Sequence, residues 1–482
     1  MRRTPLVAGL AAVGLVIAAC AGDASTSSPA PPPSGASTST VSEATSSVAV
    51  SRSDTADSES TLSTDTDLSA STTGSPSETA ATTSSPAVPG GAGGKVGVYT
   101  WWAAGLEKDG LDALLALFRA EYPNDRFVSL AVNGGDTQPQ LEIDLKHDNP
   151  PDSFQWHAGA ELSDYIKNGQ IQPVDDVIAE LGGSAVFPQG LLDRLTVDGH
   201  IYSVPANIHR VNMVWANPKV ITSAGLDPAV IPGDMEAWIA DLAKIKASGV
   251  DTPLTVGGTW TQVQLLENVL LADLGADKYT GLFDGSTDWA GTDVTAAVAD
   301  FATLLTFTDT DAADGDDWPA SIDAVADGTA AYNVMGDWAV AEFNSKKKVD
   351  GTDYTYFPTP GTDGVFDFLA DSFTLPVRAK NQAGAKDWLT LIGSAEGQKA
   401  FNLAKGSIPA RSDTAASDYP AYQQTAIASW QNDVIVPSIA HGSAVNLAWG
   451  SDIGAAVSEF HASGDATALQ SELAAAAKKN AD

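Results

Sequence analysis

From Lys95 onward, apolar and polar residues fall into short, recognisable periods. Val96, Val98 and Thr100 alternate with Gly97 and Tyr99, which predicts a strand. Leu111, Leu114, Leu115, Phe118 and Tyr122 then recur at helical spacing until Pro123 stops them. Residues 127–132 read as a second strand ended by Asn133-Gly134-Gly135, residues 138–148 as helix, and residues 153–156 as a third strand after Pro150-Pro151. Strand, helix, strand, helix, strand is the pattern of an open α/β sheet, whose ligands sit beyond the carboxyl ends of its strands. Later stretches alternate in the same manner. Residues 201–205 and 211–215 look extended, while 235–248, 295–307, 321–327, 386–392, 395–403 and the segment from Asp465 look helical.

The first 94 residues follow no such period. Met1-Arg2-Arg3 is a basic start, and Leu6 to Ala19 is apolar throughout. That run has about 14 residues where a membrane span needs about 20, so it reads as an export signal. It closes on Ile17-Ala18-Ala19-Cys20, which resembles a bacterial lipobox, in which the cysteine is lipidated and becomes N-terminal after cleavage. Cys20 is the single cysteine among 482 residues, so no intramolecular disulfide can form, and a thioether to lipid removes an otherwise exposed thiol. Residues 21–94 are rich in Ser, Thr, Ala, Pro and Asp and lack apolar periodicity. Such sequence cannot offset the entropy of ordering and is expected to be a disordered tether, spanning on the order of 50 Å. Its Ser/Thr density would permit O-glycosylation.

Charge narrows the partners. A formal net charge of −35 argues against nucleic acid and against a basic membrane patch, and it favours a soluble monomer. The Gly-Ala-Gly-Gly-Lys run ending at Lys95 has no preceding strand, no following Ser or Thr and no helix to receive a phosphate. The six histidines show no His-Glu-x-x-His spacing, and the acid-rich stretch 309–317 lacks the Gly and Glu of a calcium loop, so no metal and no cofactor is expected. No Gly-x-Ser-x-Gly elbow occurs, and nothing places two carboxylates at glycosidase separation.

What remains is a set of aromatic and polar residues at strand ends and beside glycines. Trp101-Trp102 closes the first strand, where adjacent side chains point to opposite faces, so at most one ring is expected to bury normally. Gln155 and His157 end the third strand, Trp260 follows Gly257-Gly258, Asp337-Trp338 follows Gly336, and Lys405 and His441 each precede a glycine. Flat rings that stack on a pyranose, together with side chains that match hydroxyls, are what sugar recognition requires.

Several blocks in order carry a resemblance: Tyr99-Thr-Trp-Trp102, Pro150-Pro-Asp-Ser-Phe-Gln-Trp-His-Ala-Gly159, Ser203-Val-Pro-Ala-Asn-Ile-His-Arg210, Asn333-Val-Met-Gly-Asp-Trp-Ala339, Ala370-Asp-Ser-Phe373, Lys405-Gly-Ser-Ile408 and His441-Gly442. On these the chain resembles the extracellular solute-binding proteins of bacterial sugar ABC importers, closest to the glucose/mannose-binding branch, over its whole globular part. The resemblance implies a two-lobed α/β fold of the periplasmic-binding-protein kind, with a hinge crossed more than once and a ligand cleft between the lobes. Beyond the signal and lipobox at 1–20 and the tether at 21–94, which is not part of the family core, it implies a first lobe from 95–207 and 364–405 and a second from 208–363 and 406–482. It further implies stacking from Trp101 and Trp102, hydroxyl contacts from Glu107, Gln155, His157, Asp337, Lys405 and His441, and aromatic walls from Trp260 and Trp338. Trp156 departs from the family pattern, where a smaller apolar residue is expected, and would narrow the cleft if it points inward. The implied function is capture of a monosaccharide by hinge closure, without catalysis, and delivery to ABC permease subunits from a lipid anchor on Cys20 at the outer face of the cytoplasmic membrane. The alternatives are another sugar or oligosaccharide, a non-sugar solute such as a peptide or polyamine, or a surface glycoside hydrolase.

Overall fold

A computed structural model gives the structure of the protein for residues 90–103, 105–131, 138–309 and 318–480. The export signal, Cys20, the tether up to residue 89, the Asn133-Gly134-Gly135 strand end and most of the acid-rich 309–317 stretch lie outside the described residues.

The opening βαβαβ pattern is present. Gly94–Tyr99 pairs in parallel with Asp125–Ser129 on one side and with Ser153–His157 on the other. Asp371–Thr374 then joins antiparallel to Ser153–His157, and Ser203–Pro205 completes the five-stranded sheet of the first lobe. Val96 and Val98 point into a core with Leu111, Leu114 and Phe118 of the helix Gly105–Glu121 and Trp388 of Gln382–Gly393. That first helix starts earlier than its apolar stripe, with Glu107 in its first turn and Arg119 in its last, both favourable to the helix dipole.

The second lobe is built on a four-stranded sheet in the order Thr355–Pro358, Met213–Ala216, Tyr332–Val334, Leu254–Thr255. Its core takes Val214 and Val334 from the sheet, Leu265 and Val269 from the helix Thr259–Asp284, and Phe301 from Thr292–Leu305. The helix Thr259–Asp284 shows no amphipathic period in its first half because residues 261–271 are buried all round: Gln262, Gln264, Glu267 and Asn268 are as buried as the leucines. Gly275, at φ 74°, breaks it.

A third sheet, Val434–Pro437, Val365–Leu369 and His209–Arg210, links the lobes. The chain leaves the first sheet at Pro205 and enters the linking strand at His209; it returns between Leu369 and Asp371. A third crossing lies alongside, where Ile208 and Ile408 exchange backbone hydrogen bonds of 2.8 and 3.0 Å. The strand Val365–Leu369, expected in the first lobe's second segment, therefore belongs to the linker instead. Residues just past 405, expected in the second lobe, still hold to the first. Ser412 N donates to Val186 O at 2.7 Å, and Arg411 Nη1 donates to Leu181 O and Gly393 O.

Candidate functional site

The linking strands place side chains from both lobes around one gap. His157 ends a first-lobe strand, and His441 comes from the loop after Val434–Pro437; their rings lie 5.7 Å apart and nearly perpendicular. Trp101 stands 5.0 Å from His157 on one side. On the other, Trp260 and Trp338 lie 5.7 and 5.3 Å from His441 and 6.1 Å from each other. Trp338 folds back over its own turn, where a Cβ on Gly336 would stand 2.1 Å from the indole, so only glycine fits.

A buried polar network runs beneath these rings. Asp371 is its centre: Oδ1 accepts from Gln155 Nε2 at 3.1 Å, and Oδ2 accepts from Asn207 Nδ2 at 2.7 Å with His209 Nε2 at 3.5 Å. His209 Nδ1 makes a short contact with Asp337 Oδ1, whose Oδ2 accepts the Arg210 backbone N–H. Thr100 donates to Gln155 Oε1 at 2.5 Å. Burial alone would push Asp371 up, but hydrogen bonding and charge from His209, helped by His157 and Lys405, hold it well below the ordinary carboxylate range. Burial likewise works against His209, and Asp337 with Asp371 outweighs it, raising that imidazole's pKa. His157, against the same burial, is raised by Glu161 at 2.9 Å. His441 goes the other way: burial and the charges of His157 and His209 drive it well below its ordinary value.

The charges close on themselves. His157 meets Glu161, His209 meets Asp337 and Asp371, and Lys405 meets Glu107. Among the described residues no group of three or more His, Cys, Asp or Glu side chains could hold a metal ion. The arrangement thus presents paired charges, neutral donors and acceptors, and indole faces, which suits an uncharged, hydroxyl-rich ligand. A cavity of about 610 Å³ lies beside it, lined by Gln138 and Glu161 from the first lobe and by Trp260, Gly442, Asn446 and Ser451 from the second. That volume falls within the range of about 300–1,000 Å³ usual for small-molecule sites.

Of the residues singled out in the sequence, Trp101, Gln155, His157, Trp260, Asp337, Trp338 and His441 converge here, and Glu107 and Lys405 pair with each other. Trp102 does not join them. It is fully buried against Phe373 and Phe401, with ring centroids at 5.2 and 4.1 Å, and is a core residue of the first lobe. Both tryptophans follow the strand Gly94–Tyr99 in a bend and turn, which brings Trp101 to the gap and sends Trp102 inward. Trp156 also packs away from the gap, against Phe154 and Tyr165, and touches Trp101 edge-on. His209, Asn207, Asp371 and Glu161 belong to the site although nothing in the sequence singles them out for it. His209, Asn207 and Asp371 stand within the resembling blocks, and only their long-range partners reveal their role.

The lobes also meet directly beside the histidines. Glu161 N donates to Gly442 O at 2.9 Å, and Ser443 Oγ donates to Ala158 O at 3.1 Å. Gly159, at φ 131°, allows this approach, since a Cβ there would stand 2.8 Å from Ser443 Cα and O. Gly159→Val is expected to part the two segments, and small-angle scattering of the ligand-free protein should then show a larger radius of gyration than wild type. Identical scattering curves would mean that the contact does not hold the lobes together.

A family model described as bacterial extracellular solute-binding protein matches residues 104–399. The chain belongs to this family. It is 35% identical over 390 residues to an uncharacterised ABC transporter extracellular-binding protein of Pyrococcus horikoshii, covering 80% of this chain and 87% of that one. It is 32% identical over 357 residues to a probable sugar-binding periplasmic protein of Rhizobium meliloti, covering 72% and 85%. Among solved structures it resembles the bacterial solute receptor AcbH, described with an exclusive preference for β-D-galactopyranose, at a TM-score of 0.69 and 20% identity over 80% of this chain and 98% of that one. That likeness concerns the fold: this family member shares the two-lobed architecture.

Proposed function

We propose that the protein is a receptor that closes on a sugar and delivers it to an ABC importer, with a glucose- or mannose-like monosaccharide as the favoured ligand. The observation that carries this reading is the gap itself, where Trp101 faces Trp260 and Trp338 across two histidines and His157, His209 and Lys405 each meet a carboxylate. Stacking surfaces beside paired charges suit a neutral polyol, whereas a polyamine or an anionic solute would need an unmatched charge. The relative from Rhizobium meliloti, described as a probable sugar-binding periplasmic protein, supports the same class. A sugar held by both lobes makes more contacts when they are closed, so binding shifts the population toward closure, and the closed form docks on the permease subunits. No chemical step is assigned to the cleft.

Titration calorimetry and tryptophan fluorescence with glucose, mannose, galactose and disaccharides test this. Saturable binding of a monosaccharide is expected, and silence across the whole panel would refute the reading. The cavity continuing past Trp260 toward Asn446 and Ser451 favours a second reading, a disaccharide, which the same panel separates. Aryl glycosides incubated with the protein should release no product.

The proposal includes a monomeric receptor held at the outer face of the membrane by lipid on Cys20. Cys20→Ala is expected to move the protein from the membrane fraction to the soluble fraction of expressing cells. Retention of the variant with the membrane would assign the anchoring elsewhere.

A further inference from the structure

Glu267 sits midway along Thr259–Asp284, fully buried. Its Oε2 accepts the backbone N–H groups of Ile439 at 2.5 Å and Ala440 at 2.9 Å. Ser438 Oγ lies 3.0 and 3.1 Å from its two oxygens. The same hydroxyl is 3.0 Å from His441 Nδ1 and accepts the His441 backbone N–H at 3.2 Å. A serine hydroxyl has one hydrogen to give and two lone pairs to fill, and here one lone pair is taken by that backbone N–H. Two complete arrangements remain. With Glu267 ionised, Ser438 donates to it and must accept from His441 Nδ1–H, which leaves a lone pair on His441 Nε2. With Glu267 protonated, the carboxyl donates to Ser438, Ser438 donates to His441 Nδ1, and Nε2 carries the hydrogen.

We infer that Glu267 and Ser438 form a relay that sets whether His441 Nε2 meets the ligand as a hydrogen-bond acceptor or as a donor. They are positioning residues for His441. The relay also gives a sealed carboxylate its route for exchange: a proton taken up at Nε2 from the gap is matched by transfer of Nδ1–H to Ser438 and of the serine hydrogen to Glu267. One proton enters, and no other bond changes.

The surroundings favour both states. Burial raises the Glu267 carboxyl to about 8, against the lowering effect of its three hydrogen bonds. Asp367, on the linking strand, is equally buried, and burial with the Glu267 charge raises it well above its ordinary value, against the Phe368 backbone and the Arg210 charge. Arg210 faces Asp367, and the Tyr279 hydroxyl donates to Pro437 O at 3.0 Å nearby. His441 itself faces His157, His209, Asp371 and Lys405 together with Trp260 and Trp338, and it stays neutral, so its single hydrogen is the one the relay places. The consequence for a sugar hydroxyl rests on the reading of the gap as a sugar site; the relay does not.

Long-range ¹H–¹⁵N spectra of the histidines in the full chain, recorded without sugar from pH 6.5 to 9.5, test it, with His441 assigned by its loss in His441→Gln. The expected result is an Nε2–H tautomer at low pH that converts to Nδ1–H with a midpoint near 8. Glu267→Gln should lock Nε2–H throughout, because the amide oxygen takes the backbone N–H groups and its NH₂ donates to Ser438. Ser438→Ala should abolish the conversion. One unchanging tautomer in the wild-type protein, which needs no variant to fold, would overturn the relay, as would an unaltered conversion in Glu267→Gln. Since no sugar is present, neither result bears on the sugar reading, and failure of the sugar panel leaves the relay standing.

Discussion

Asp371→Ala is expected to lower global stability by about 3–5 kcal/mol, the usual consequence of removing one partner from a buried charged network. The carboxylate is almost wholly buried and serves Gln155, Asn207 and His209 at once, so its loss strands donors on two strands and on the first crossing between the lobes. Urea unfolding followed by tryptophan fluorescence reads the change as a shifted midpoint. The pH dependence has a defined sign. Asp371 is depressed when folded, so its contribution is complete above the ordinary carboxylate value of about 4 and disappears as pH falls through its lower folded value. His209 is raised when folded, so its share is complete below about 6.5 and fades as pH rises through the raised value. The gap between wild type and variant should therefore be widest between about pH 4 and 6.5. A loss below about 1 kcal/mol there, with a flat pH profile, would show that the network is not what joins these elements.

The fold is legible in the sequence where periods are clean. The first strands and helices declare themselves because one face of each is buried and the other is not, as Val96 and Phe118 show. The helix Thr259–Asp284 stays hidden for the opposite reason: when Gln264 and Glu267 are buried beside Leu265 and Leu266, polarity ceases to report direction. The linking strands give no signal because His209–Arg210 has two residues and no alternation to display; its pairing is set by Val365–Leu369, far along the chain.

The site shows the same division. Trp101, His157, Asp337 and His441 can be named because each stands at a strand end or beside a glycine, places where an open α/β sheet exposes side chains. Asp371 and His209 cannot be selected on such grounds, since their significance lies in partners separated by 128 to 216 residues that only the crossing strands bring together. Adjacent tryptophans pose a different difficulty. Alternation says that one of the two is buried, yet which one depends on the helices covering each face of the sheet, and Phe401 on Ala395–Lys405 decides it by stacking on Trp102.

That decision gives the second large effect. Trp101→Ala should reduce affinity for the captured sugar roughly 30-fold, about 2 kcal/mol, the scale of a central aromatic anchor at a binding surface. Its ring is only partly buried, resting on His157 and the edge of Trp156, so the folded state should survive the change with a modest loss. Trp101→Phe keeps an aromatic face and should recover part of the affinity. Trp102→Ala should behave in reverse: it empties a fully buried indole site between Phe373 and Phe401 and should cost about 3–5 kcal/mol of stability. Calorimetric affinity and urea midpoint, measured on both variants, separate the two roles. If Trp102→Ala lost affinity while keeping its midpoint, and Trp101→Ala did the opposite, the ring facing the ligand would be Trp102, and the gap between the two histidines would not be where the sugar stacks.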